Sequence, residues 1–526
     1  DCLKADQIIL FSPNTLFNSY VSNVLPELGE ENMQQVTFQE YLNHRLSKNY
    51  QVENPYDQLE YVLTATDSPS YHSRVASIRF KASPLFFDAI ESYRESLEIS
   101  DMQFKDLIFR GKPIVSKEQI AERFYRKDTS LRFHNRLEKL QDWLLNKLKE
   151  ALKVERHQPW VLERIELLSD EEYNKAHAYL AKKHGFKRDS IADYEVDTKE
   201  LAQLIVQQRL RPLQRRVRAF EFIDMKGIYK QLFADPLAIK QWMNGDTPAE
   251  WPSICEETAQ ILDEDQLRYE DATPFLLLNE LIKGFQANRT IKHIVVDEAQ
   301  DYSPFQFEFL RRLFPSAKMT VLGDFNQAIF AHANETVDFH VLTNLFGPDE
   351  TEVITMTRSY RSTKPIIEFT RKLIPKGDQI IPFYREGELP ELKRVIDHEE
   401  LRRSIAEKVA HFQSVGYNTI AIICKSAEES RHAYESLSTI EDIKLLRKGS
   451  MEYEQGVVVV PAYLAKGIEF DAVIIYDASE HIYGDESLRR IFYTACTRAM
   501  HDLQLYSVGE ATPLLETVPR DCFILA

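Results

Sequence analysis

The sequence predicts an α/β protein in which parallel sheets are flanked by helices, with a large, mostly helical insertion in the first part. Short apolar runs rich in β-branched residues recur at both ends of the 526-residue chain. Their apolarity is continuous rather than alternating, which is typical of strands covered on both faces. The middle, roughly 46–288, instead has apolar residues at helical spacing and very few glycines. The two ends of the chain are therefore predicted to form sheets and its middle to form helices, which is an α/β fold with a helical insertion.

The predicted strands lie near the N-terminus and after residue 290. They are QIILFSP (7–13), HIVVDEA (293–299), MTVLGD (319–324), TEVITM (351–356), TIAIICK (419–425), GVVVVPA (456–462), AVIIYDA (472–478) and LQLYSV (503–508). Amphipathic stretches such as SPFQFEFLRRLF and STKPIIEFTRKLI lie between them and predict helices. Strands that alternate with helices in this way indicate doubly wound, mainly parallel sheets.

The middle of the chain carries two clusters of like charge. Its long predicted helices are 131–157 and 198–225. The second contains Arg209, Arg211, Arg215, Arg216 and Arg218, whereas 256–271 (EETAQILDEDQLRYED) is strongly acidic. Such clusters are either solvated helix faces or surfaces that bind a partner, and the sequence leaves both open.

Composition limits the classes of function. The formal charge of −17 and the pI near 5.4 argue against a protein that coats nucleic acid through bulk attraction, so any such contact should be local. Five cysteines occur without a C-x-x-C pair, which fits a reducing cytosol. The sequence contains neither a basic-then-apolar signal pattern nor an apolar run long enough for a membrane helix, so we expect a cytoplasmic protein with no membrane contact.

Carboxylates and an amide follow two successive predicted strands. Asp297 and Glu298 come directly after IVV, and Gly323, Asp324 and Gln327 follow VL. Ligands of open α/β sheets bind outside the carboxyl ends of strands, where one carboxylate can hold Mg²⁺ and its neighbour can activate water. A Gln there can contact a terminal phosphate. The spacing predicts phosphoryl-transfer chemistry, with a helix-capping acid as the alternative for the Asp-Glu pair.

Five ordered motifs resemble motifs II to VI of superfamily 1 helicases of the UvrD/Rep type. They are DEAQD (297–301), GDFNQ (323–327), RSYRS (358–362), AKGIEFDAV (465–473) and FYTACTRA (492–499). The N-terminal stretch 3–42 and the long insertion resemble the HelD branch, also called helicase IV-like, which includes RNA polymerase recycling factors. This resemblance implies two RecA-like, P-loop NTPase-type motor domains. Residues 1–45 and 289–347 would form the first, 46–288 its insertion, and 348–526 the second.

The resemblance also assigns roles to individual residues around ATP and Mg²⁺. Asp297 would hold Mg²⁺, Glu298 would activate the attacking water, and Gln327 would contact the γ-phosphate. Arg498 would be an arginine finger delivered by the second motor domain, because a planar guanidinium matches phosphate oxygens.

Four further residues would surround the nucleotide. Tyr360 would stack on the adenine, Arg361 would reach the γ-phosphate, and Gly467 and Glu469 would approach the ribose and phosphates. The alternatives are surface ion pairs for the arginines and core packing for Tyr360.

The sequence departs from the family pattern at a few positions. Ser359 stands where Asn is usual and Ile468 where Leu is usual, and neither affects the expected ATP contacts. Tyr463 stands in the segment PAYLAKG where the family often has His, which puts the nucleic-acid contact of that motif in question.

The phosphate-binding loop G-x-x-x-x-G-K-[ST] does not occur in the 526 residues. The Gly111-Lys112 pair is followed by Pro113 and has Asp106 at the position of the first Gly. The resemblance places this loop upstream of Gln7, so the chain is expected to be an N-terminally truncated form. We therefore expect little ATP hydrolysis from this chain alone.

Two functions remain open at this stage. The first is an ATP-driven motor that releases or recycles RNA polymerase from nucleic acid, and the second is a 3′–5′ DNA helicase in repair or recombination. A nucleotide-gated scaffold is a third, non-enzymatic alternative. RNA polymerase, DNA or both are the expected partners, and a monomer is expected.

Overall fold

A computed structural model describes residues 3–14, 18, 22, 25–26, 31–184, 191–333, 339–448 and 455–526, without the side chains of 177, 179–184, 191–197, 333 and 339–341. The chain divides into two compact units. Unit 1 comprises Asp1–Phe87, Gly245–Leu276 and Gln286–Ala526, and unit 2 comprises Asp88–Asn244 and Leu277–Phe285. Cys2 and much of the N-terminal stretch that resembles HelD (15–17, 19–21, 23–24 and 27–30) lie outside the described residues.

Unit 1 contains a four-stranded parallel sheet, called here the N-terminal sheet. Its strand order is Gln34–Thr37, Ile8–Ser12, His293–Val296 and Lys318–Val321. The strands predicted at 7–13, 293–299 and 319–324 are confirmed. All four strands run in the same direction, so the residues after Ser12, Val296 and Val321 meet at one edge of the sheet.

Unit 1 also contains a seven-stranded parallel sheet, called here the C-terminal sheet. Its order is Lys444–Leu445, Gly456–Pro461, Thr419–Cys424, Phe470–Ile475, Ala499–Val508, Glu391–Val395 and Ile524–Leu525. Alternate residues of the strand Thr419–Cys424 enter two different apolar clusters, Ala421 and Ile423 in one and Ile420 and Ile422 in the other. Both faces of this strand are thus buried, which explains why its sequence is continuously apolar. The predicted α/β fold class is confirmed.

The strand predicted at 351–356 is wrong. The described residues 351–357 have no regular secondary structure, and Ile354 and Met356 are 72% and 92% exposed. β-branched residues favour a strand only where a neighbouring strand and a packed face receive them. Here the first strand pairing comes later, at Arg358–Ser359 with Ile381–Pro382.

Helices surround the two sheets of unit 1. They are Phe38–Leu46, Pro55–Thr64, Tyr71–Lys81, Trp251–Asp263, Pro304–Leu313, Phe339–Phe346, Lys364–Arg371, His398–Val415, Ala427–Ser436, Glu480–Tyr483 and Arg489–Cys496. Two more, Pro84–Ser96 and Tyr269–Lys283, contain a boundary between the units. Helix Pro55–Thr64 adds Leu59 and Leu63 to an apolar cluster of the C-terminal sheet. A segment predicted to belong to the insertion thus packs in the core of unit 1.

Unit 2 is mainly helical. Its helices are Lys117–Arg126, Phe133–Glu155, Pro159–Glu166, Asp170–His184, Ile191–Arg218 and Met225–Gln231, with an antiparallel pair of short strands, Leu107–Phe109 and Lys112–Val115. The helix predicted at 131–157 is confirmed, and the one predicted at 198–225 is confirmed up to Arg218, where helix Ile191–Arg218 ends. Leu140, Leu144 and Leu148 of the first and Leu210 and Val217 of the second are buried, as helical spacing requires.

Across the part of the chain that the structure describes, we find no helix that is both long and apolar enough to span a membrane.

Candidate active site

Asp297 and Glu298 lie at the carboxyl end of a strand of the N-terminal sheet. The Asp297 N–H donates to the Phe11 carbonyl at 3.0 Å, which continues the strand pairing. Glu298 then adopts a left-handed backbone with φ of 49°, and its N–H donates to Asp297 Oδ1 at 2.9 Å. A non-glycine residue with positive φ is uncommon and marks a turn held by its surroundings. The Glu298 side chain does not cap the short 3₁₀ helix that follows, so the helix-capping alternative fails for this residue.

Gln300 joins the two strand ends that the sequence singled out. Its Nε2 donates to Glu298 Oε2 at 2.5 Å, and its Oε1 accepts from the Asp324 N–H at 3.1 Å. Gln300 is fully buried. A Cβ on Gly323 would lie 2.5 Å from Gln300 Oε1, so this close approach requires glycine. Gln300 therefore fixes the Glu298 carboxylate relative to the loop that begins at Gly323.

Gln327 and Arg498 are in direct contact. Gln327 Nε2 donates to Asp324 Oδ2 at 2.8 Å, and Arg498 Nη2 donates to Gln327 Oε1 at 2.5 Å. Arg498 follows helix Arg489–Cys496, is 1% exposed, and also donates from Nε to the Thr494 carbonyl. Both ends of the Gln327 amide are thus engaged, one by an acid and one by a guanidinium.

Lys466 connects the AKGIEF segment to the acids of DEAQD. Its Nζ lies 2.6 Å from Asp301 Oδ1 and 3.4 Å from Glu298 Oε2, and the side chain is almost fully buried. Burial raises the pKa of Asp301 to about 6, the charge of Lys466 opposes the rise, and the charge of Glu298 adds to it. Sequence reasoning assigned no role to Lys466, Gln300 or Asp301, although all three lie inside the quoted motifs.

The site separates negative from positive charge. Burial, reinforced by Glu298, raises the pKa of Asp297 on the acidic side. Burial and the nearby charge of Arg361 lower the pKa of Arg498 to about 10, against the pull of Glu298. The positive charges of Arg361 and Arg498 repel each other. An anion bound between them would offset that repulsion, so the pair favours a negatively charged ligand.

The remaining predicted residues lie in more open surroundings. Arg361 Nε is 2.5 Å from Glu469 Oε1, so the ion-pair alternative describes Arg361 in this structure. Tyr360 is 60% exposed with its ring 5.2 Å from that of Phe383, which excludes core packing. Gly467 has a φ of +81°, a conformation that favours glycine.

A cavity of about 330 Å³ opens beside the acids. Asp297, Glu298 and Asp301 line it together with aromatic rings from Tyr56, Tyr269, Tyr302, Phe38 and Phe330 and with the basic side chains of Arg447 and Lys448. The carboxylates of the N-terminal sheet are therefore accessible to a ligand.

The donor set fits Mg²⁺ and a triphosphate. Mg²⁺ is usually held by one or two carboxylates, with water and substrate phosphates as its other ligands. Asp297 and Glu298 supply such a pair, and the ammonium of Lys466 already places a cation against Glu298. Within the described ranges, no group of three or more His, Cys, Asp or Glu side chains has the geometry of an all-protein metal site. Arg361 and Arg498 supply the cationic side for phosphate oxygens.

Comparison with known proteins identifies the family. Residues 24–340 match the model of the UvrD/REP helicase N-terminal domain, and residues 456–506 match that of the UvrD-like helicase C-terminal domain. The chain belongs to the UvrD/REP helicase family, within superfamily 1.

Several curated helicases are similar to parts of the chain. The ATP-dependent DNA helicase srs2 of Schizosaccharomyces pombe is 28% identical over 183 residues, or 31% of this chain and 20% of that protein. The ATP-dependent DNA helicase UvrD1 of Mycobacterium tuberculosis is 25% identical over 35% of this chain and 27% of its own length. The ATP-dependent DNA helicase Rep of Escherichia coli is 29% identical over 33% and 27%. The chain thus spans about a fifth to a quarter of the relatives it matches.

Two solved structures are also similar to parts of the chain. The C-terminal domain of a possible DNA helicase from Lactobacillus plantarum is 35% identical, covers 32% of this chain and 98% of its own, and has a TM-score of 0.29. S. cerevisiae Dbp5 bound to RNA and ADP-BeF3 is 12% identical and covers 50% of this chain and 65% of its own, with a TM-score of 0.28.

Proposed function

We propose that this chain is the motor part of an ATP-dependent superfamily 1 helicase or translocase, with Mg²⁺ as the metal cofactor. The contact between Arg498 and Gln327 carries the proposal. It brings a buried guanidinium from the C-terminal part of the chain to the edge of the N-terminal sheet at which Asp297 and Glu298 lie. Family membership and the printed activities of the relatives support the same function.

The proposed chemistry divides the work among residues of this chain. Asp297 would hold Mg²⁺, which would supply positive charge to offset that of the phosphates. Glu298, oriented by Gln300, accepts the proton of the attacking water, while Lys466 keeps the neighbouring Asp301 in place. Arg498 and Arg361 stabilise the charge that develops on the transferred phosphoryl group, and Gln327 senses that group through its contact with Arg498. Tyr360, Gly467 and Glu469 would contact the nucleoside end.

Hydrolysis is proposed to need a phosphate-binding loop that the 526 residues do not contain. Backbone N–H groups and the lysine of such a loop cradle the phosphates. We expect negligible phosphate release from this chain alone and robust release from a form of the protein that includes the G-x-x-x-x-G-K-[ST] segment. Rapid turnover by the 526-residue chain would contradict this part of the proposal.

The finer proposal is a HelD-type factor that frees RNA polymerase from nucleic acid. The helical unit 2, the net charge of −17 and the similarity of the N-terminal stretch to the HelD branch support it. An acidic protein can compete with nucleic acid for a basic channel through charge complementarity. The test is co-elution of the full chain with purified core RNA polymerase, which we expect at micromolar concentrations. Separate elution of the two proteins would contradict the HelD assignment while leaving the motor intact.

A DNA helicase of repair or recombination is the second candidate, because the curated relatives are named as ATP-dependent DNA helicases. ATP-dependent strand displacement on tailed duplexes, by a form that carries the phosphate-binding loop, would favour this candidate. The division of the chain into motor domains at 1–45, 46–288, 289–347 and 348–526 stays a prediction.

A further inference from the structure

Helix Pro55–Thr64, called here the bridging helix, joins parts of unit 1 that are far apart in the sequence. Its Leu59 and Leu63 are buried in an apolar cluster of the C-terminal sheet. Its Gln58, which is also buried, donates from Nε2 to Glu270 Oε2 at 2.7 Å. Buried side chains thus tie the bridging helix both to the C-terminal sheet and to a helix that precedes the strand of Asp297.

The bridging helix contacts Tyr463 in two ways. The Tyr463 hydroxyl donates to Glu60 Oε2 at 2.8 Å, and its ring stacks on that of Tyr56 with the centroids 5.6 Å apart. Tyr463 is 4% exposed. Burial, followed by the charge of Glu60, raises the pKa of Tyr463 above its ordinary range, so the hydroxyl keeps its proton and acts as a donor. This position, where the sequence departs from the family pattern, therefore has a defined partner within the chain.

The carboxylate of Glu60 is itself held in place. Its Oε2 also accepts from the Ala427 N–H at 3.0 Å, and its Oε1 accepts from the Glu428 N–H at 3.2 Å. These N–H groups belong to the first turn of helix Ala427–Ser436, where a carboxylate is stabilised by donors that lack an intrahelical partner and by the helix dipole. Because three donors engage one carboxylate, Glu60 offers Tyr463 a fixed partner.

Tyr463 lies in the turn that carries Lys466 to the candidate active site. Residues 461–468 form this turn, which two backbone hydrogen bonds to one carbonyl close at 2.9 and 3.1 Å. Lys466 Nζ lies 2.6 Å from Asp301 Oδ1 and 3.4 Å from Glu298 Oε2. Because the turn is short and closed by hydrogen bonds, a displacement of Tyr463 also displaces Lys466.

We propose that Tyr463 and Glu60 are positioning residues for the candidate active site, through which the bridging helix sets the placement of Lys466 against Glu298. This inference rests on the proposed ATP hydrolysis and adds a means of controlling it from the bridging helix. The ammonium of Lys466 helps to orient the carboxylate that accepts the proton of the attacking water. A misplacement of about 1 Å at such a group can cost about 10²-fold in rate.

The competing interpretation is that the contact between Tyr463 and Glu60 only stabilises the fold. A hydrogen bond to a charged group contributes to stability wherever it is formed. The two interpretations differ in what the loss of the hydroxyl does once Lys466 is absent. A contact that acts through Lys466 then has no further effect on turnover, whereas an independent contact keeps its full effect.

The first test uses the 526-residue chain and needs no nucleotide. Tyr463→Phe keeps the stacked ring and removes the hydrogen bond to Glu60. We expect about 10-fold faster hydrogen–deuterium exchange of the protected amides in 462–468, measured by mass spectrometry, which corresponds to the loss of one hydrogen bond to a charged group. The matched control is Tyr61→Phe in the bridging helix, whose hydroxyl instead pairs with Ser70 Oγ at 3.0 Å. The control should leave exchange in 462–468 unchanged.

The second test is a double-mutant cycle on steady-state ATP turnover, in a form of the protein that contains the phosphate-binding loop. Tyr463→Phe alone should lower turnover by about 10-fold to 100-fold, and Tyr61→Phe should leave it unchanged. In a Lys466→Met background, Tyr463→Phe should have no further effect. Urea unfolding of each variant separates a local change from loss of the fold.

Two results would overturn the proposal on its own. They are unchanged exchange of 462–468 in Tyr463→Phe, and a loss of turnover from Tyr463→Phe that is equally large with and without Lys466. A loop-containing form that hydrolyses no ATP in any variant would contradict the proposed function and this inference with it. Normal turnover in Tyr463→Phe would contradict the inference alone.

Discussion

Unit 1 and unit 2 use charge in opposite ways. In unit 1 several ionised groups with structural or proposed catalytic roles are buried and held by a partner, as are Lys466 by Asp301 and Arg498 by Gln327. In unit 2, Arg211, Arg215 and Arg218 are exposed and make no ion pair with a residue that the structure describes, and ion pairs such as Lys147 with Glu150 lie at the surface. Buried pairs cost much free energy when one partner is removed, whereas surface pairs contribute little. Removing one charge should therefore cost more stability in the buried pairs of unit 1 than in the surface pairs of unit 2.

The largest expected effect is on ATP turnover, which should depend on a residue of unit 1 and not on one of unit 2. In a form of the protein that carries the phosphate-binding loop, Arg498→Ala should lower ATP turnover by about 10³-fold or more, since the guanidinium stabilises charge in the transition state. Steady-state phosphate release measures the effect. Arg126→Ala, which removes an exposed arginine from unit 2, is the control and should leave turnover unchanged. Equal losses for the two variants would remove the distinction between the units.

The second effect is on stability. Lys81 is buried in unit 1, with Nζ 2.7 Å from Asp271 Oδ1 and 2.8 Å from Thr258 Oγ1. Lys81→Met leaves the Asp271 carboxylate buried without its cation and should lower the free energy of unfolding by about 3 to 5 kcal/mol. Urea unfolding followed by circular dichroism provides the measurement.

Lys147→Met in unit 2 is the matched control for Lys81. Lys147 Nζ lies 2.7 Å from Glu150 at the surface, and losing this pair should change the free energy of unfolding by less than about 1 kcal/mol. If the Lys147 variant lost as much stability as the Lys81 variant, the contrast between buried and exposed pairs would not hold.

The smallest effect concerns the pH dependence of unit 1. Burial raises the pKa of Glu429 to about 7, although the Lys425 N–H opposes the rise. Because the folded pKa lies above the unfolded one, the stabilising contribution is complete below about pH 4.5 and is lost as pH rises through 7. At about 1.4 kcal/mol per pKa unit, the loss between pH 5 and pH 8 should amount to about 2 to 3 kcal/mol.

Glu429→Gln isolates this contribution because Gln does not titrate. The stability of the unsubstituted protein relative to the variant should fall between pH 5 and pH 8, and urea unfolding at several pH values measures it. A difference that is constant with pH would show that Glu429 stays ionised in the folded protein.

Continuous apolarity predicted most strands of the two sheets, including the edge strand Lys318–Val321, but two polar strands escaped it. Gln34–Thr37 and Glu391–Val395 are largely polar in sequence and become strands because a neighbour pairs with them. Conversely, the run at 351–356 has the right composition and lacks a partner strand. Pairing is a property of the tertiary structure, so short patterns identify strands that are buried on both faces better than those that are not.

The candidate site was predictable where strand ends and motifs coincide, as for Asp297, Glu298 and Gln327. The contacts of Lys466 with Asp301 and Glu298 were not, because 165 positions separate Lys466 and Asp301 in the sequence. Gln300 was missed for a different reason. Its importance comes from bridging Glu298 to the Asp324 backbone, which depends on the absence of a Cβ at Gly323.

The most direct test of the account is a double-mutant cycle on ATP turnover with Glu298→Gln and Arg498→Ala, in a form of the protein that contains the phosphate-binding loop. If the acid and the guanidinium act on the same phosphoryl group, their effects are strongly non-additive, and the double variant should be about as slow as the slower single variant. Losses that multiply, or substantial turnover in either single variant, would contradict the convergence of these residues on one reaction centre.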